Sequence, residues 1–247
     1  MNFIRKETYT MDDLLHIMEI LRSEQGCPWD REQTHKSIRN NFLEEAYEAV
    51  EAIDTSDSQL LCEELGDVLL QVVFHSQLEK EQNVFSFSDV VDGICKKLIL
   101  RHPHVFGDVS AKNSEEVLSN WEAIKKEEKG RKTNTQVLKG VSKALPALMR
   151  AQKIRKKAAK AAGEELELSE SLNRLEECVK LFTHSADSTP QEEQRKNLGQ
   201  LLFSVAEISG ILHIEAEQAL SETCDDFIAQ FEEQEKQSDC DNSGLEG

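Results

Sequence analysis

A helix that is apolar around almost its whole circumference must be buried, and residues 60–75 come close to that limit. The segment reads LLCEELGDVLLQVVFH. Wound at about 3.6 residues per turn, Leu61, Leu65, Val68, Leu69, Leu70, Val72 and Val73 cover most of the surface, and Glu63, Glu64, Asp67 and Gln71 leave one narrow polar stripe. The pattern predicts a buried helix whose acids need cationic partners, because an unpaired carboxylate removed from water costs several kcal/mol or takes up a proton.

The preceding segment, NFLEEAYEAVEAID over 41–54, has an ordinary apolar face of Leu43, Ala46, Ala49, Val50 and Ile53, with Glu44, Glu45, Glu48 and Glu51 opposite. Taken alone, that acidic face is as well explained by solvation as by function. The pairing of the two segments adds weight to function. Glu45 and Glu48 stand three apart, as do Glu64 and Asp67, so each pair shares one face of its helix. A short polar break, Thr55 to Ser58, makes the helices antiparallel neighbours, and both stripes can then face a common point. Hard oxygen ligands converging from facing helices suit Mg²⁺ or Mn²⁺ rather than zinc.

At 247 residues the chain can form one large or two small domains. Its 47 acids against 29 Lys and Arg give a net charge of −18, which argues against a nucleic-acid-binding surface. A small polyanion remains possible as a substrate if divalent cations bridge it to carboxylates. Six cysteines, at positions 27, 62, 95, 178, 224 and 240, show no CxxC and no Cys/His cluster at zinc spacing, so reduced thiols are expected. The start, MNFIRKETYTMDD, has no apolar h-region, and no apolar run approaches the ~20 residues of a membrane span. A soluble cytoplasmic protein that binds no membrane is the expectation.

Helical periodicity runs through nearly every segment, and no sustained period-two alternation marks a sheet. A first helix is expected over about 11–23, ending in the Gly/Pro break that holds Trp29. Ser86 or Ser88 can cap a helix that runs to about Arg101 and is stopped by His102-Pro103-His104. Ser114-Glu115-Glu116 starts a polar helix through Trp121 to about Lys129. The expected organisation is a first domain over 1–130, a linker over 131–141, a second helical domain over 142–237 and a disordered tail over 238–247. Helices at about 145–162, 168–186 and 191–236, with a break near His213, build the second domain. A basic stretch without acids between Arg131 and Gly163 reads as a solvated face or an internal counterweight to acidic neighbours, with a docking surface for an acidic partner as its alternative.

The chain also repeats itself. Leu43-Glu44-Glu45 recurs as Leu175-Glu176-Glu177, and Glu64-Leu65-Gly66-Asp67-Val68-Leu69-Leu70 as Asn197-Leu198-Gly199-Gln200-Leu201-Leu202-Phe203. The second copy replaces Glu48 by Lys180, Glu64 by Asn197 and Asp67 by Gln200, keeping only Glu177 of the four acids. One carboxylate cannot hold a divalent cation against water. The metal site is therefore expected in the first half, with a structural or regulatory role for the second.

Five ordered blocks, GCPWDREQTH (26–35), LEEAYE (43–48), ELGDVLLQVVFH (64–75), KLILRHPHVFGD (97–108) and NWEAIKKEEK (120–129), together resemble the MazG family of nucleoside triphosphate pyrophosphohydrolases in its two-domain form. The second half resembles it through SKALPALMRAQKIRKKA and the repeat, and departs from its acidic motif. The resemblance implies an all-α fold of tandem helical bundles, a homodimer that completes the bundle, and Mg²⁺-dependent hydrolysis of an NTP or dNTP to the monophosphate and pyrophosphate. It implies metal ligands at Glu45, Glu48, Glu64 and Asp67, a water-activating carboxylate at Glu44 or Glu48, phosphate contacts from Lys97 and Arg101, and closure over the nucleotide by Trp121 and Lys125.

Plainer explanations stand beside these roles. Trp121 is equally well a packing residue, and Lys97 and Arg101 suit the C-terminal end of a helix dipole. His102 and His104 fit a helix-stopping loop, and His75 a helix surface. For the whole chain, the alternative to an enzyme is a non-catalytic nucleotide sensor or helical adaptor on the same scaffold. A hydrolase acting on a signalling nucleotide is a third reading.

Overall fold

A computed structural model describes residues 3–114, 116–117, 120–121, 124, 133–185 and 190–243, and among these every regular element is helical. The chain divides into two compact units, residues 1–125 and 126–247.

The first unit begins with α1 (Met11–Arg22), opened by a capping box in which the Thr10 hydroxyl accepts from the Asp13 amide and the Asp13 carboxylate accepts from the Thr10 amide. The turn after it is tight. Gly26 donates to Ser23 O at 2.9 Å, and a Cβ at position 26 would lie 2.2 Å from the carbonyl oxygens of both Ile20 and Leu21, so only glycine fits. Within the Gly/Pro break a short helix α2 (Pro28–Glu32) forms, with Pro28 at its first position.

Next come α3 (Arg39–Asp54) and α4 (Ser58–Glu81), the hairpin that carries the acidic stripes. Asp57 caps α4 by accepting from Gln59 N at 2.9 Å and Leu60 N at 3.0 Å, and Ser56 takes a left-handed conformation (φ 56°) that reverses the chain. Ser86, with Asp89, caps α5 (Phe87–Arg101), and Pro103 then opens the single turn α6 (Pro103–Phe106) where only a helix stop was expected.

Met18, Ile38, Val73, Phe74 and Leu78 form the core of this unit, with Leu14, Leu15 and Leu70 packed against it. Burial of α4 is thus confined to its second half. Leu65 is 54% and Leu69 37% exposed, contrary to the expectation of a helix buried throughout. The reason is supply of neighbours: Leu14 and Leu15 of α1 pack against the cluster that holds Val73, Phe74 and Leu78, in the second half of α4.

In the second unit, α7 (Asn134–Lys139) is opened by a capping box of Thr133 and Gln136, so the stretch expected as a linker carries a helical turn. It is followed by α8 (Ala147–Ala162), α9 (Leu168–Ser185), α10 (Gln191–Ile211) and α11 (Ala216–Ser243). Gly163 ends α8 at φ 67°, and His213, at φ 58°, marks the break between α10 and α11. Helix α11 runs to Ser243, beyond the point where a disordered tail was expected to begin.

What holds this unit together is partly ionic. Glu207 on α10 is 7% exposed and accepts from Arg155 on α8, Arg174 on α9 and the Ser171 hydroxyl, the last at 2.6 Å. Burial pushes the Glu207 carboxyl up, and the three donors outweigh it and hold it below the usual range. Arg155 also reaches Glu164 at 3.6 Å, so part of the basic stretch is an internal counterweight, while Lys153 and Lys156 face solvent.

Candidate metal centre

The hairpin α3–α4 brings Glu45, Glu48 and Glu64 together, with one carboxylate oxygen of each within 4.8 Å of the others. Two stand one turn apart on α3 and the third comes from the facing turn of α4. Asp67, one turn further along α4, lies outside that triple, yet its charge acts on both Glu45 and Glu64.

The electrostatics are those of a site short of positive charge. Partial burial raises the Glu45 carboxyl above the ordinary range, and Asp67, Glu48 and Glu64 push it in the same direction. Glu64 is raised by burial and then by Glu48, Asp67, Glu63 and Glu51. Beside burial, the forces on both groups come from other carboxylates, and among the described residues the expected cationic side chains do not act on Glu45 or Glu64. A divalent cation relieves that repulsion, and an all-oxygen donor set offered from two helices fits Mg²⁺ or Mn²⁺.

The remaining predicted residues are distributed less evenly. Glu44, next to the triple on α3, is exposed. On α5, Lys97 is exposed, whereas Arg101 is 7% exposed and its guanidinium lies 5.3 Å from the centre of the Trp121 ring. Trp121 is half-buried within a helical stretch whose described residues are 114, 116–117, 120–121 and 124. Arg101 and Trp121 thus meet each other, a pairing that their separate assignments to phosphate and base did not foresee. Lys125 lies outside the described residues.

A second cluster was missed from sequence. His35, in the turn before α3, and His75 on α4 face each other edge to edge, with their Nδ1 atoms 2.7 Å apart and their rings within 3° of parallel. His35 Nε2 meets Glu79 at 2.8 Å, and the Phe42 ring packs 5.8 Å from His75. Burial and then the His35 charge lower the His75 pKa. His75 is therefore a half-buried partner of the turn that leads into α3, rather than a free surface residue.

In the second unit the equivalent hairpin carries no such triple among the described residues. Lys180 pairs with Glu176 at 3.7 Å in the place of Glu48.

Residues 33–106 match the MazG nucleotide pyrophosphohydrolase domain. Over longer spans the chain is 38% identical, across 235 residues, to a Thermotoga maritima protein named nucleoside triphosphate pyrophosphohydrolase/pyrophosphatase MazG; the match covers 95% of this chain and 89% of that one. It is 41% identical over 229 residues to the nucleoside triphosphate pyrophosphohydrolase of Escherichia coli K12, covering 92% and 87% of the two chains.

Proposed function

The chain belongs to the MazG family of nucleotide pyrophosphohydrolases, and from that premise we propose that its first unit hydrolyses nucleoside triphosphates between the α and β phosphates, releasing the monophosphate and pyrophosphate. The observation that carries the reading is the carboxylate triple Glu45–Glu48–Glu64, held within 4.8 Å by two helices and pushed toward protonation by its own crowding.

In this reading Glu45, Glu48, Glu64 and Asp67 hold Mg²⁺, with Mn²⁺ able to replace it. When bound there, the cation would supply positive charge to phosphate oxygens and acidify a water. Glu44, exposed beside the triple, and Glu48, at its solvent side, are the two groups placed to take the proton of that water. Lys97 is free to meet the departing pyrophosphate as charge builds on it. Arg101 acts with Trp121: the guanidinium over the ring fixes the face on which the nucleotide base stacks, with Lys125 from the same segment on the phosphates.

The first unit works as a homodimer in this reading. Leu65 and Leu69 on α4 and Ile94 and Leu98 on α5 stand 37–54% exposed, and a second copy that covers them completes the bundle around the acids. No helix among the described residues is long and apolar enough to cross a membrane.

The test is the product. Incubation with a panel of NTPs and dNTPs and Mg²⁺ should release pyrophosphate and not orthophosphate, and Glu64→Gln should abolish it. Nucleotide binding without turnover would instead make the chain a sensor on this scaffold, and an unaltered rate in Glu64→Gln would remove the metal assignment.

A further inference from the structure

The acids that crowd the facing turns of α3 and α4 also resist the approach of the two helices. Burial and then neighbouring carboxylates push Glu45 and Glu64 up, and repulsion of that kind spreads a hairpin unless both of its ends are tied. One end is the turn Thr55–Asp57, next to the buried Ala49 and Ala52. Those two are the fully buried residues of α3, and both lie on the turn side of Glu48. The half of α3 from Arg39 to Glu48 buries none of its side chains completely.

At the other end the tie is polar. His35, in the turn before α3, and His75 on α4 bring their Nδ1 atoms to 2.7 Å, and Glu79, one turn beyond His75, meets His35 Nε2 at 2.8 Å. Phe42, in the first turn of α3, packs on His75. Two imidazoles joined nitrogen to nitrogen need one donor and one acceptor. With Glu79 accepting from His35 Nε2, the link holds while the pair carries at most one extra proton. When both rings are charged, two N–H groups face each other and the link opens.

The repeat separates this tie from the fold. Glu64, Asp67, Gln71, His75 and Glu79 follow one another at three or four residues and form one stripe of α4. In the register that lays Ser58 on Gln191, the first residues of α4 and α10, the stripe becomes Asn197, Gln200, Ser204, Ile208 and Leu212. Leu65 and Leu69 stay leucines, as Leu198 and Leu202. His75 and Glu79 have thus gone together with the acids, in the copy that holds no carboxylate triple among the described residues.

We propose, on the reading of these acids as metal ligands, that Glu79, His35 and His75 form a clasp that positions α3 against α4 and keeps the carboxylates at ligand spacing. His75 lies about 16 Å along the helix from Glu64, so the clasp acts through the two helices and touches no ligand. The carboxylates lose their spacing when the clasp takes its second proton. Burial and then His35 act on His75, and no other charge among the described residues does. On the α1 side, Arg22 is paired with Glu81 and Glu19 with Lys80. From α3 comes the uncharged Phe42, and from α5 no group that shifts the ring. Lys36 and Arg39, beside His35 in the sequence, are exposed.

The experiment measures Mn²⁺ affinity of the full chain by electron paramagnetic resonance, and amide hydrogen exchange over residues 39–48. His75→Phe keeps a ring against Phe42 and removes the hydrogen bond; His75→Asn keeps a bonding group at the Nδ1 position and cannot take the charge. At pH 8 the Phe variant should bind Mn²⁺ about tenfold more weakly and exchange about tenfold faster over that segment, and the Asn variant should recover most of both. At pH 5.5 wild type should lose affinity relative to the Asn variant, because only wild type opens. If the Phe variant loses helix content by circular dichroism, His35→Ala takes its place, at a side chain 47% exposed. Unchanged exchange in the folded variant overturns the clasp, as does unchanged Mn²⁺ affinity beside faster exchange. A wild type that binds no Mn²⁺ overturns the metal reading instead, and exchange still decides whether the clasp holds α3.

Discussion

Removing the Glu207 carboxylate should unlock the second unit while leaving the first intact. Glu207 is 7% exposed and takes donors from Ser171, Arg174 and Arg155. Breaking a buried ion pair by deleting one partner costs about 3–5 kcal/mol, because the other charge is left unpaired. Two features place Glu207→Ala at the low end of that range. The Arg174 side chain is 45% exposed and regains water, and Arg155, at 20%, keeps Glu164 at 3.6 Å. Ser171, 1% exposed, keeps only its bond from Arg174 at 2.9 Å. A loss of about 3 kcal/mol follows, equivalent to a fall of about 12 °C for a unit of this size at about 4 °C per kcal/mol. Differential scanning calorimetry of the full chain should show one transition moving by that amount and the other staying in place. The same network has a pH signature. Because the folded carboxyl lies below its ordinary value of 4.5, its contribution is complete above that pH and is lost as pH falls through the folded value. A decrease under about 1 kcal/mol, or a variant with the acid limb of wild type, would refute the claim that this carboxylate is desolvated and multiply bonded.

Three further outcomes are expected. Mg²⁺ affinity, by isothermal titration calorimetry, should fall as pH drops from about 7.5 to 5.5, because Glu45 and Glu64 are held above the ordinary carboxylate range and must lose a proton to coordinate; affinity independent of pH would count against them as ligands. The His75 pKa is lowered in the folded chain, so stability should decline as pH falls below the ordinary value of 6.5, and His75→Phe should flatten that limb in denaturant titrations. Gly26→Ala should destabilise the first unit by about 3 kcal/mol or more, since its Cβ would meet two backbone carbonyls at 2.2 Å, and an unchanged melting temperature would show that the turn gives way easily.

Much of the scaffold is legible in the pattern of apolar residues. The helices α1, α3, α4, α5, α8, α9 and α10 follow from periodicity, and their starts follow from caps such as Ser86, whose hydroxyl and amide both meet Asp89. The stripe of acids on α3 and α4 is equally readable, because three-residue spacing on a helix leaves no choice of face. Cover is harder to read. Leu65 and Val73 look alike in sequence, yet one is 54% and the other 1% exposed, because Val73 lies in the cluster that residues of α1 and Ile38 close. The Glu207 cluster and the His35–His75 contact join residues 33 to 52 and 40 positions apart, which no local pattern encodes. A signal for the first did exist. The repeat puts Glu207 at the position of buried Phe74, and Arg174 at that of Phe42, so a polar pair stands where the first copy is aromatic.

The three-residue turn Thr55–Asp57 has a kinetic consequence. Glu45 and Glu64 are joined by one hairpin, so the acids meet through contacts that are local in the chain, and closing so short a loop takes far less than a millisecond. During synthesis at about 5–20 residues per second, this hairpin has many seconds to form before α8 exists. The carboxylate triple can therefore assemble on a nascent chain whose second half has not yet been made.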